Sequence, residues 1–271
     1  MFYKKIFLKD IDDKFANTTA TLKIYISDRN EAISLRPGIL VCPGGGYTFC
    51  APREAEPIAF RFLSEGFNCF ILYYTVNEKY PAPHLDLALA ISYIREHEKE
   101  FDLIPNTLSI IGFSAGGHLV GSYGYLYKEL AEKLGVNESV LRPFSIVMAY
   151  PVITRLANPE SGTFKRIAGD DKSLLEKAEI INHVDNSYPP TFLWTTLDDE
   201  LVPSKNTVMM EEELKKNHVK YECKLFESGE HGSSLCNRSV YQDNKKITGK
   251  MGEIRDWPSL VADFIFDLLR E

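Results

Sequence analysis

Ile110-Ile111-Gly112-Phe113-Ser114-Ala115-Gly116-Gly117-His118-Leu119 is the stretch on which the reading of this chain turns. The apolar run from Leu108 to Ile111 reads as a buried strand, broken at Gly112. Small residues then open a helix from Ala115. Gly112-Phe113-Ser114-Ala115-Gly116 fits G-x-S-x-G, the pattern of a serine on a sharp strand-to-helix turn. Such a turn lifts the hydroxyl clear of the sheet. A Cβ at either flanking glycine would collide with neighbouring backbone.

Strand candidates flank this elbow on both sides. Thr21–Ile26 alternates polar and apolar residues, as a half-buried strand does. Ile39-Leu40-Val41-Cys42 is continuously apolar and stops at Pro43 and three glycines, which marks a central strand covered on both faces. A helix is expected from Glu54, with Ile58 and Phe62 on one face and Gly66 at its end. Phe67–Tyr74 is the next strand, and Leu87, Ile91 and Ile94 mark a helix running to about Glu100. Beyond the elbow come a strand from Phe144 to Tyr150, a strand at Thr191–Thr195, a helix from near Pro203 and a strand at Tyr221–Phe226. The last helix opens at Asp256-Trp257-Pro258, with Leu260, Phe264 and Leu268 as its apolar stripe. Two segments stand outside this rhythm. Thr154–Val184 reads as an excursion over the strand ends, with Leu174, Leu175 and Ile180 as its apolar points. Ser233–Asp256, polar and carrying Lys245-Lys246, reads as a surface loop. Strands alternating with helices predict a mainly parallel α/β sheet with helices on both faces, in one domain.

The composition sets bounds. The 271 residues are 44% hydrophobic and 25% charged, ordinary for a soluble globular chain. A net charge of −7 leaves no footprint for nucleic acid or an anionic membrane. The apolar run at the N-terminus is too short for a signal-peptide core, and no apolar stretch is long enough to span a bilayer. The five cysteines lack C-x-x-C spacing, so neither a zinc site nor a disulfide framework is expected. A cytoplasmic setting follows as the expectation, with no cofactor. The glycine triplet could cradle a phosphate, but no G-K-[ST] follows it and no G-x-G-x-x-G fits.

A serine hydroxyl needs a base, and the base needs an orienting group. Of the six histidines, His97 and His218 sit among charged residues and read as solvent-facing. His84 opens a helix and reads as packed or capping. His118 lies one turn past Ser114 and reads as structural, and His183 has no assigned role. His231, between glycines in Gly229-Glu230-His231-Gly232 after the Tyr221–Phe226 strand, is the favoured base. The acid should lie between serine and histidine in chain order, which points to Asp198-Asp199-Glu200 after the Thr191–Thr195 strand. Residue type alone leaves Asp198 and Asp199 both open. The loop Pro43-Gly44-Gly45-Gly46-Tyr47 and the Ala115 N–H are the expected oxyanion donors, each worth roughly 3–4 kcal/mol. Arg53 reads first as the partner of a neighbouring carboxylate and second as a substrate contact.

With these segments in view, the chain resembles an α/β-hydrolase of the acetyl xylan esterase and feruloyl esterase-like carbohydrate esterase group. The carriers are Pro43–Tyr47, Arg53-Glu54-Ala55-Glu56-Pro57, Gly112–Leu119, Tyr188–Trp194, Asp198–Pro203 and Gly229–Gly232. The resemblance implies Ser114 as nucleophile, His231 as base and Asp199 as acid, since the family's aspartate stands three residues before the valine. It implies Gly45, Gly46 and Ala115 as oxyanion donors, with no metal or cofactor. Lipase-type relatives carry histidine at the head of the glycine triplet where this chain has Pro43, so assignment to that branch does not follow. The implied activity is hydrolysis of a small ester through an acyl-enzyme, foremost an acetyl group on a sugar or oligosaccharide. Peptidase, amidase or thioesterase chemistry with the same triad, and a non-catalytic binding module, are the alternatives.

Overall fold

The structure, a computed structural model, describes residues 1–12, 17–241 and 249–271, with 249–251 by backbone alone. Eight strands form its sheet: β1 (Phe2–Phe7), β2 (Thr21–Ile26), β3 (Arg36–Cys42), β4 (Asn68–Tyr73), β5 (Leu103–Phe113), β6 (Ile146–Ala149), β7 (Thr191–Thr196) and β8 (Tyr221–Phe226). Their order is β1-β2-β4-β3-β5-β6-β7-β8. The β1–β2 and β2–β4 pairs are antiparallel, and every pair from β4–β3 onward is parallel. The expected mainly parallel sheet is therefore present.

Period-two alternation sorts the side chains between two cores. In β3, Leu40 and Cys42 enter one core while Ile39 and Val41 enter the other. β5 repeats this with Ile110 and Ile111, and β6 with Met148 and Val147. The first core is closed by α2 (Ala82–Glu96), α3 (Ala115–Leu134) and α7 (Lys205–Lys216). The second is closed by α1 (Glu56–Ser64) and α8 (Trp257–Leu268). A short α4 (Glu138–Leu141) links α3 to β6, and the excursion carries α5 (Gly162–Ala168) and α6 (Lys172–Ala178).

Several boundaries differ from expectation. Pro52–Glu54 forms a single 3-10 turn, and α1 begins only at Glu56 because Ala55 leaves helical geometry. α2 ends at Glu96 instead of Glu100. There the His97 ring bonds the Tyr93 carbonyl at 2.8 Å, and Phe101 turns back into the core. The face buried by α8 is Trp257, Val261, Phe264 and Ile265, with Leu260 and Leu268 only at its flanks. Ser233–Asp256 is not uniformly a surface loop. Ser233, Ser234, Leu235, Cys236 and Ile254 are buried. Ser234 satisfies its polar atoms inside, donating to the Arg53 carbonyl and accepting through its own carbonyl from the Trp257 indole. The Lys245-Lys246 part of that segment lies outside the described residues. Within the excursion, Ile180 is buried as expected, but Phe164 and Ile167 are buried too.

Candidate active site

β5 ends at Phe113 and α3 begins at Ala115, so Ser114 alone makes the turn. It does so at φ 53°, ψ −115°. Both glycines are sterically required: a Cβ on Gly112 would stand 2.0 Å from the Gly116 carbonyl oxygen. One on Gly116 would stand 2.2 Å from that of Cys42.

The loop after β8 brings His231 to this turn. Its Nε2 lies 2.8 Å from Ser114 Oγ and its Nδ1 lies 2.7 Å from Asp199 Oδ2. An Nδ1–H that donates to Asp199 leaves Nε2 free to accept the serine proton. Asp199 has a fully buried side chain, and its Oδ1 accepts the N–H groups of Leu201 and Val202 at 3.0 and 2.8 Å. Those bonds aim Oδ2 at the imidazole. Asp198 points elsewhere and accepts from Ser228 Oγ and the Gly229 N–H, both at 2.6 Å. It fastens the start of the loop that carries His231.

Upstream, the glycine loop follows β3. Gly45 and Gly46 adopt φ of +128° and +62°, and a Cβ on Gly45 would stand 2.0 Å from the Phe49 carbonyl oxygen. The Gly44 N–H is taken by Glu54 at 2.8 Å. Among the described residues, the N–H groups of Gly45, Gly46 and Ala115 donate to no protein group.

His118 donates from Nε2 to the Ala178 carbonyl and accepts at Nδ1 from the Tyr47 hydroxyl, both at 2.9 Å. Burial lowers its pKa to about 4, partly opposed by the Ala178 bond and Glu179. It is structural, as read from the sequence. His84 is buried against Ser122 Oγ at 2.8 Å. His183 stacks on Tyr125 and His218 is exposed. The expectation that His97 faces solvent is corrected: its ring stacks against Tyr93 and Phe101 with centroids 4.1 and 5.7 Å away. A flanking run of charges does not reveal such stacking.

A cleft of about 490 Å³ opens over Ser114 and His231. Its far wall is the excursion, presenting Asn158, Glu160, Ser161, Thr163 and Arg166. A second hollow of about 370 Å³ shares Phe49, Arg53 and His231 with the first and is walled also by Ser233, Val240 and Tyr241. Arg53 lines both, half exposed, with Nε 3.9 Å from Glu54 Oε1. Sequence reasoning missed two groups at this site, Glu54, which lines the cleft, and the buried Tyr150. Glu54 stands in the Arg53–Pro57 segment that carries the resemblance, which was its only signal.

The profile of the BD-FAE family matches residues 22–214. Among curated proteins, endo-1,4-beta-xylanase B of Butyrivibrio fibrisolvens is 28% identical over 214 residues, covering 76% of this chain and 34% of that protein. The acetylxylan esterase of Xylanibacter ruminicola is 27% identical over 220 residues, covering 76% of this chain and 42% of that one. The chain thus spans less than half the length of the curated relatives it matches. Among solved structures, the acetyl ester-xyloside bifunctional hydrolase of Caldicellulosiruptor lactoaceticus superposes with TM-score 0.79 at 31% identity, covering 98% of this chain and 96% of that one. The carboxylesterase Cest-2923 of Lactobacillus plantarum WCFS1 superposes with TM-score 0.84 at 25% identity, covering 98% of each. The family match over well more than half its length, joined to this sheet order, shows that the chain belongs to the BD-FAE family and is an α/β-hydrolase.

Proposed function

We propose that this chain is a serine carboxylic-ester hydrolase that removes acetyl groups from a sugar or oligosaccharide. Ser114 Oγ attacks the ester carbonyl as His231 Nε2 takes its proton, and Asp199 steadies the imidazolium. The tetrahedral oxyanion is held by the N–H groups of Gly45, Gly46 and Ala115. His231 then returns the proton to the departing alcohol oxygen, leaving an acetyl-enzyme. Water, deprotonated by His231, attacks that acyl group; the bond to Ser114 Oγ breaks, His231 returns the proton to that oxygen, and acetate leaves.

The observation that carries this reading is the polar cleft wall facing Ser114. Asn158, Glu160, Ser161, Thr163 and Arg166 offer hydrogen-bonding groups suited to sugar hydroxyls, beside the apolar Phe49, Val152, Leu201 and Val202 of the same cleft. The acetylxylan esterase and acetyl ester-xyloside hydrolase among its relatives favour the same substrate class. Among the described residues no helix is long and apolar enough to cross a membrane. We place the enzyme in the cytoplasm, a reading supported by the free thiols of Cys42, Cys50, Cys69 and Cys223.

Release of acetate from acetylated xylo-oligosaccharides is the direct test. Ser114→Ala is expected to lower kcat by about 10⁴-fold or more, and Asp199→Asn by on the order of 10³–10⁴-fold. Asp198→Asn disturbs only the loop anchor and should stay within roughly tenfold of wild type. Full activity in Ser114→Ala would sink the mechanism, and cleavage of aminoacyl-proline substrates in place of acetyl sugars would sink the substrate class.

A further inference from the structure

Glu54 is only 2% exposed and lies outside the triad. Its carboxylate has two close partners, and both are donors. Oε2 accepts the Gly44 N–H at 2.8 Å, and Oε1 accepts the Tyr150 hydroxyl at 2.9 Å. Gly44 opens the glycine loop, and a Cβ placed there would lie 2.7 Å from Glu54 Oε2 and 3.0 Å from Ser114 Cβ. Tyr150 follows β6 with φ 37°. Its oxygen also accepts the Ser234 N–H at 3.2 Å, and its ring stands edge-on to His231, centroids 5.2 Å apart. One buried carboxylate therefore joins the loop after β3 to the segment that follows the base.

We propose that Glu54 is a positioning residue of the hydrolase. Its ionised carboxylate holds the oxyanion loop at Gly44 and, through Tyr150, the His231 ring in line with Ser114. This inference rests on the ester-hydrolase reading above.

Two physical arguments support it. An ionised carboxylate only accepts hydrogen bonds, so it can satisfy two donors at once. A protonated acid or an amide carries its own hydrogens, and one of the Gly44 and Tyr150 donors then loses its acceptor. The second argument is charge. When Ser114 gives up its proton, His231 becomes a cation, and the buried Glu54 anion attracts it only from that moment. An interaction made only then appears in kcat and not in KM.

The ionisable groups facing Glu54 are Arg53 beside it, Tyr150 after β6, His231 after β8, and Cys50 and Tyr74 from the neighbouring walls. Burial raises the Cys50 thiol to about 12 and both tyrosines well above their ordinary value, so these three are neutral. Burial also raises the Glu54 carboxyl, opposed by Tyr150, Gly44, Arg53 and His231. It therefore takes up a proton at higher pH than an ordinary glutamate does.

Three variants and three readouts test this. Glu54→Gln is expected to lower kcat for p-nitrophenyl acetate by about 10- to 100-fold with KM within about threefold. Tyr150→Phe should lower it by roughly 3- to 10-fold, and the double variant should fall no further than Glu54→Gln. Below the pH at which Glu54 takes up its proton, the acid limb of kcat/KM should be steeper in wild type than in Glu54→Gln, because the glutamine has no proton to gain. The rate at which a fluorophosphonate labels Ser114, per folded molecule by circular dichroism, reads the same defect whatever the natural ester. Wild-type labelling rates and an unchanged acid limb in folded Glu54→Gln would overturn the proposal. If Glu54→Gln does not fold, a wild-type labelling rate in folded Tyr150→Phe overturns it. A wild-type chain that labels normally but releases no acetate from sugars refutes the substrate class and leaves the Glu54 result standing.

Discussion

Ser114 holds a backbone conformation that glycine adopts freely and serine does not. Strain of this kind amounts to about 1–3 kcal/mol. Three bonds hold it: the Ser114 N–H donates to Ala149, and the Ser114 carbonyl accepts from His118 and Val152. Ser114→Gly and Ser114→Ala both remove the hydroxyl, but only glycine relaxes the backbone. Ser114→Gly should be the more stable of the two by about 1 kcal/mol in urea denaturation. Equal midpoints would show that the turn stores no strain at this residue. The serine was legible because G-x-S-x-G is a local steric pattern. The choice between Asp198 and Asp199 was not legible from residue type, since neighbours on one turn differ only in where each points. Two backbone N–H groups, from Leu201 and Val202, decide it.

The strand-to-helix junction of β5 and α3 is where glycine is least replaceable. Gly116→Ala would put a Cβ 2.2 Å from the Cys42 carbonyl oxygen and 2.5 Å from that of Pro43, both rigid backbone. It should destabilise the fold by about 3 kcal/mol or more and misplace the elbow. Gly135 ends α3 at φ +70° with nothing within 4 Å of its Cβ position. Gly135→Ala should therefore lose only about 1 kcal/mol, from the left-handed backbone alone. Urea midpoints of the two variants check the contrast. Strand periodicity read well where burial was two-sided, and β7, buried throughout, spans Thr191–Thr196 against the expected Thr191–Thr195. Ends decided by one side chain reaching back to the backbone did not read, as His97 shows for α2.

Across the whole molecule, His118 connects three layers, taking Tyr47 of the glycine loop on one nitrogen and Ala178 of α6 on the other. With its pKa lowered by burial to about 4, it stays neutral in the fold. An unfolded histidine takes up a proton near pH 6.5. Between those values the unfolded chain binds a proton that the fold refuses, so stability falls as pH drops from about 6.5 towards 4. The loss assignable to His118 is roughly 3 kcal/mol. His84, lowered further by burial, acts in the same direction, and the raised Glu54 carboxyl acts in the opposite one. Urea denaturation at pH 7 and pH 5 should show a marked loss in wild type and a smaller one in His118→Asn. An equal loss in both would remove His118 as the source.

What the sequence by itself determined is what depends on neighbours along the chain. That covers the apolar runs of the central strands, the glycine spacing of the elbow, and the chain order of Ser114, Asp199 and His231. Only the tertiary structure showed which groups aim Asp199 at His231, how Glu54 and Tyr150 meet, and which residues of the excursion wall the cleft. Those contacts join positions 96 and 117 residues apart, Glu54 to Tyr150 and Ser114 to His231. Their distances follow from strand order and crossover, where a side chain's direction matters and its place in the chain does not.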